Sequence, residues 1–173
     1  ILREAGEIGF DGIENGHRWP NEPQALKDLL GSYGLAFVSG WYSLNLLAQS
    51  VEDEKQAIQP HLDKLKHNGC TVCIACETSN SVQGLQEPLS KSPVLSDAEM
   101  KAFGAKVEEI AALTASQGIK LVYHHHLGTV VETPEDIDAF MAATGPQTRL
   151  LFDAGPCYFG RHGSAPTLVP ASH

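Results

Sequence analysis

Ile119-Lys-Leu-Val-Tyr-His-His-His126 is the stretch whose reading decides the fold. It is short, rich in β-branched and aromatic residues, and bounded by Gly118 and by Leu127-Gly128, so it reads as a strand. Upstream, Phe103, Val107, Ile110 and Leu113 repeat at helical spacing. Ser96 followed by Glu99 is a capping-box signature at that helix's start, and Gly118 fits its stop. Downstream, Thr133-Pro134 reads as an N-cap with proline at the first helical position, opening a helix with Ile137, Phe140 and Met141. Helix, strand, helix is thus written around the three histidines.

The same alternation runs through the chain. Phe10–Glu14, Leu35–Trp41, Cys70–Glu77 and Arg149–Asp153 are further strand candidates. Leu26, Leu29, Leu30 and Tyr33 form one helical stripe, and Val51, Ile58, Leu62 and Leu65 another. Strand then helix, repeated, predicts a parallel sheet covered by helices, either open and doubly wound or closed as a barrel. No glycine-rich phosphate loop follows a strand, which favours the barrel. The expected fold class is α/β, a parallel (β/α) barrel of TIM type with about five or six strand–helix units. It would occupy residues 1–160, with an irregular tail over 161–173.

Composition narrows the function classes. Of 173 residues, 42% are hydrophobic and 19% charged, enough apolar matter for a packed core. The net charge is −9, from 12 Lys+Arg against 21 Asp+Glu, which argues against nucleic acid or an anionic membrane as partner. No apolar run approaches a membrane span and the start does not read as a signal peptide, so the cytoplasm is the expected compartment. Cys70, Cys73 and Cys76 have spacing reminiscent of iron–sulfur sites, but Asn80 stands where a fourth cysteine would be needed. Within a strand, residues three apart point to opposite faces, so buried thiols are the better reading.

In a barrel, chemistry sits at the mouth where strands end. The polar residues fall there: Glu14, Trp41 and Tyr42, Glu77, His124–His126, and Asp153. Strand alternation puts Val122, His124 and His126 toward the axis, and Leu121, Tyr123 and His125 toward the helices. His124 and His126 lie roughly 7 Å apart along such a strand and can share a metal or substrate. Asp153 on the next strand suits a cation of borderline hardness such as Mn²⁺, Co²⁺ or Zn²⁺, with a structural salt bridge as the competitor. Glu77 or His126 is the candidate acid or base, with Glu77 and Glu14 alternatively a ligand or partners of a cation such as Arg18. Glu14, His17, Trp19 and Trp41 are candidates to line a polyol pocket. The long polar connection Ser79–Asp97 either covers the mouth or is an ordinary surface loop.

Gly9-Phe-Asp-Gly-Ile-Glu14, Ser39-Gly-Trp-Tyr-Ser43, Leu121-Val-Tyr-His-His-His-Leu-Gly-Thr129 and Leu150-Leu-Phe-Asp-Ala-Gly155 resemble the inosose dehydratases of the xylose-isomerase-like superfamily. The Tyr-His-His-His-x-Gly-Thr string followed by Thr133-Pro-Glu-Asp-Ile137 is the most specific. The resemblance implies an eight-stranded barrel with a metal at the mouth. It also implies dehydration of a cyclic keto-polyol, 2-keto-myo-inositol, to a dione in inositol catabolism, with Mn²⁺ or Co²⁺ and glutathione as named cofactors. By the same resemblance His124 and Asp153 fall at metal-ligating positions. Asp153-Ala-Gly-Pro156 departs from the usual Asp-Thr-Gly-His. The comparison further implies a chain opening inside the family's first helix and closing soon after its sixth strand. A hydroxypyruvate-isomerase-like ketose isomerase or epimerase, and a non-catalytic remnant, are the rival expectations. The expected partner is a small polyol or keto-sugar, and a homo-oligomer is left open.

Overall fold

A computed structural model of the chain describes residues 1–15 and 18–155. Helix α1 (Leu2–Ile8) leads into strand β1 (Gly12–Ile13), α2 (Pro23–Gly31) and β2 (Ala36–Phe37). Then come β3 (Trp41–Leu44), α3 (Val51–His67), β4 (Val72–Glu77), α4 (Asp97–Ser116) and β5 (Lys120–His124), followed by α5 (Pro134–Ala143) and β6 (Arg149–Leu151). Every strand pair is parallel. β1 pairs with β2, and β3-β4-β5-β6 follow in chain order. This is the arrangement of a (β/α) barrel wall, seen here as an arc.

The expected second strand, Leu35–Trp41, is not one uniform ladder. Its first part pairs with β1, and the backbone bonds Val38 N to Ile13 O (3.2 Å) and Asn15 N to Ser39 O (3.1 Å) extend that pairing. From Trp41 onward the chain pairs with β4 instead and continues to Leu44. At the changeover the Ser39 hydroxyl donates to Val72 O at 3.1 Å. A Cβ on Gly40 would lie 3.2 Å from His61 and 3.3 Å from both Asn15 and Phe37, so the close packing there favours glycine. The expected first strand, Phe10–Glu14, shrinks to Gly12–Ile13, and Phe10 is exposed.

The helices start where the sequence marks them. Ser96 and Glu99 form a reciprocal capping box on α4, and Thr133 with Asp136 forms another on α5. Gly118 follows α4 at φ +79°, the left-handed turn that glycine adopts without penalty. Leu26, Leu30, Ile58, Leu62, Leu65, Phe103, Val107, Ile110 and Phe140 are buried between helices and strands. Tyr33, assigned to the first stripe, lies beyond α2 and is exposed. Leu121 and Tyr123 are wholly buried in this core, as their parity requires. Tyr123 packs on Phe140 at 4.3 Å and on Phe103 at 6.2 Å between centroids.

Cys70, Cys73 and Cys76 are free and buried. Burial pushes Cys70 up to about 11 and Cys73 and Cys76 up to about 12, so they stay protonated thiols rather than cluster ligands. No described helix is long and apolar enough to cross a membrane. The tail expected over 161–173 lies outside the described residues.

Burial, with Lys64 nearby, pushes the His61 imidazole from 6.5 down to about 4, while the Gly40 backbone pulls the other way. The fold therefore prefers neutral His61. Its contribution is complete above about pH 6.5 and is lost as the pH falls toward about 4. Replacing His61 by Phe is expected to flatten the loss of unfolding free energy across that window. Denaturant titrations at about pH 7 and about pH 4.5 measure it; a variant that weakens as steeply as wild type would exonerate His61.

Candidate functional site

The last rung between β5 and β6 pairs His124 with Leu151. At and beyond that rung the two strand ends carry the polar groups. His124 and His126 turn their rings toward each other at 5.4 Å between centroids. Trp41, from β3, meets both edge-on, at 5.5 Å from His124 and 5.6 Å from His126. Its indole N–H donates to the Ser43 hydroxyl at 3.0 Å, which fixes the ring's orientation. The register aligns Trp41 with Ile74 and Ile74 with Val122, so one indole and two imidazoles from separate strands share the axial side.

Asp153 lies two residues past the end of β6. Its backbone N–H donates to His125 Nε2 at 3.0 Å, and its Oδ1 accepts from Gly155 N at 2.8 Å. Its Oδ2 stands 3.4 Å from His124 Nε2. That nitrogen is buried, yet it makes no well-formed hydrogen bond among the described residues. The Gly155 N–H, together with the His124 ring, holds Asp153 below the usual carboxylate value. Burial and the neighbouring His126 hold His124 below the ordinary imidazole value, against the pull of Asp153 and Glu14. A neutral imidazole and an ionised carboxylate facing one another are suitable ligands for a divalent cation. Among the described residues these two donors gain no third His, Cys, Asp or Glu to complete a metal cluster.

His126 is held differently. Its Nδ1 lies 3.0 Å from Leu127 O. A carbonyl can only accept, so Nδ1 carries the proton, and Nε2 of the neutral ring keeps its lone pair. The loop after it is folded tightly: Thr129 Oγ1 donates to His126 O at 2.8 Å, and His126 N donates to Val131 O at 3.1 Å.

Other candidates land elsewhere. Glu14 is exposed just past β1, close enough to influence His124. His17 lies outside the described residues. Trp19 packs against the hydrophobic core. Glu77 is the main correction. Its side chain is wholly buried, and its oxygens accept from Leu46 N (2.7 Å), Ser79 N (2.9 Å) and Ser79 Oγ (2.5 Å). Alternation along β4 places it with Cys73 and Ala75, which belong to the helix-packed core. Burial pushes the Glu77 carboxyl above the usual carboxylate range, and these donors oppose the rise. Glu77 therefore ties the β3–α3 and β4–α4 loops together, and its occupied oxygens do not suit it to act as a base. His125, left out of the candidate set, makes the bond to Asp153. Its parity was readable, but its partner lies 28 residues away.

A parallel arc with its polar residues gathered past the strand ends defines a class. The chain belongs to the xylose isomerase-like TIM barrel family, whose profile it matches over residues 2–170. It is 38% identical over 173 residues to the rhizopine catabolism protein MocC of Rhizobium meliloti, covering 99% of this chain and 53% of that protein. It is 35% identical over 161 residues to the inosose dehydratase of Geobacillus thermodenitrificans, covering 91% of this chain and 54% of that one. The chain thus spans about half the length of the curated relatives it matches. Among solved structures it resembles the probable 3-DHS dehydratase AsbF of Bacillus anthracis (TM-score 0.68, 16% identity, 91% of this chain and 58% of that one). It also resembles a xylose isomerase-like TIM barrel protein of Mycobacterium smegmatis solved with magnesium (TM-score 0.65, 20% identity, 90% and 55%). At these identities the two structures speak for the fold.

Replacing Glu77 by Gln is expected to lower stability by at least about 2 kcal/mol, because an amide nitrogen would face backbone donors that now have an acceptor. Chemical denaturation measures the loss. Unchanged stability together with abolished turnover would return Glu77 to the catalytic set.

Proposed function

We propose that this chain carries one wall of a metal-assisted hydro-lyase that dehydrates a cyclic keto-polyol, with 2-keto-myo-inositol as substrate. The observation that carries the reading is the convergence of His124 Nε2, Asp153 Oδ2 and the His126 ring beside Trp41. Relatives named inosose dehydratase support the substrate class.

His124 and Asp153 would hold a divalent cation, Mn²⁺ or Co²⁺, with the remaining ligands coming from outside this pair. Bound there, the cation would polarise the substrate ketone and acidify the adjacent C–H. The unprotonated Nε2 of His126 would accept that proton, since its Nδ1 proton is committed to Leu127 O. As the electron pair moves in to form the C=C bond, the neighbouring C–O bond breaks. The hydroxyl leaves as water, taking a proton from the imidazolium. Trp41 would offer its ring to the C–H side of the polyol, and Glu14 would accept from a substrate hydroxyl.

The test is dione formation from 2-keto-myo-inositol by this chain in Mn²⁺ or Co²⁺, followed spectroscopically. Replacing His126 by Ala is expected to lower kcat about 100-fold or more. Asp153→Asn is expected to weaken cation binding. Undiminished turnover in His126→Ala would remove the histidine from the mechanism. Aldose–ketose interconversion without loss of water would favour an isomerase instead, and absence of cation binding would favour a non-catalytic role.

A further inference from the structure

We propose that His125 is a positioning residue whose buried ring acts as the next rung of the β5–β6 ladder and sets where the Asp153 carboxylate stands. This rests on the reading of His124 and Asp153 as cation ligands. The backbone ladder ends at the His124–Leu151 pair, two residues short of Asp153. Without another bond, that segment would have no tie to its neighbouring strand where the carboxylate must be placed. The His125 ring supplies the tie: Nε2 accepts the Asp153 N–H at 3.0 Å.

The ring is well placed to do this. Its side chain is wholly buried, and it lies 5.8 Å between centroids from Phe152, the residue that precedes the donor. With Nε2 accepting, the neutral ring carries its proton on Nδ1, which is buried and has no hydrogen-bond partner among the described residues. An unpaired buried donor carries a cost that packing alone does not require, and a phenyl ring of the same size would avoid it. The bond to Asp153 is what such a ring gains. With the backbone fixed, Gly155 N occupies Oδ1, and Oδ2 is left to face His124 Nε2. One histidine of the run thus presents the carboxylate that its neighbour meets.

The test uses the ¹⁵N-labelled chain of 173 residues. In wild type, a scalar coupling through the N–H···N bond between Asp153 N and His125 Nε2 is expected; its absence would overturn the proposal without any variant being made. In His125→Phe, which keeps the ring and removes the acceptor, the Asp153 and Gly155 amide signals should move and Asp153 should lose protection from exchange. His125→Gln, whose Oε1 reaches about as far as Nε2, should restore them toward wild type. Wild-type Gly155 signals in a folded His125→Phe chain would show that the carboxylate is placed without the ring. Co²⁺ titration by visible absorption should give an affinity about 10- to 100-fold weaker in His125→Phe, with recovery in His125→Gln. A wild-type chain that takes up no Co²⁺ would sink the cation reading, while the coupling and amide signals decide the positioning claim in either case.

Discussion

The parallel ladder between Lys120–His124 and Arg149–Leu151 is the constraint on which the mouth depends. Side chains on a strand alternate between two faces, so the ladder has one register in which Tyr123 fills the helix-packed core while His124 looks inward. A slip of one residue would bury the wrong imidazole and expose the tyrosine. Tyr123 is locked by Phe103 and Phe140, which α4 and α5 bring to it. The histidines therefore take their places from apolar packing beneath them as much as from any polar bond above.

Past the strand ends the chain has no ladder, and carboxylate acceptors take over the work of holding it. Glu77 accepts from Leu46 and Ser79, joining two loops. Glu54 accepts from Tyr42 Oη (2.7 Å), Asn45 N (2.7 Å) and Gln49 Nε2 (3.0 Å), fixing the turn into α3. At the opposite end of the strands Glu108 does the same for the approach to β6, accepting from Gly145, Gln147 and Thr148. Backbone N–H groups away from water need partners, and an ionised carboxylate can satisfy several together. A carboxylate at a strand end is thus as readily a loop tie as a reagent.

The helix–strand alternation was legible because its signals are local. Ser96-x-x-Glu99, Thr133-Pro134 and Gly118 each mark a boundary within a few residues, and the apolar stripes point to one face. The parity of His124, His125 and His126 was legible for the same reason. What escaped was non-local. Nothing in Leu35–Trp41 announces that its neighbour changes midway, since that depends on where β1 stops and β4 starts. Asp153 could be recognised as a candidate ligand but not as a residue suspended from His125. The burial of Glu77 had a usable clue as well, since counting by twos from Cys73 puts it on the helix side.

The changeover at Val38–Gly40 has a bearing on how this wall could vary. One continuous backbone serves two ladders, with Ile13 and Phe37 matched before it and Trp41 and Ile74 matched after. An added or deleted residue within those three positions would leave the first match intact and turn the indole to the opposite side of the wall. The hinge between ladders thus works as a reading frame for everything downstream on that strand, which leaves little room for length variation there.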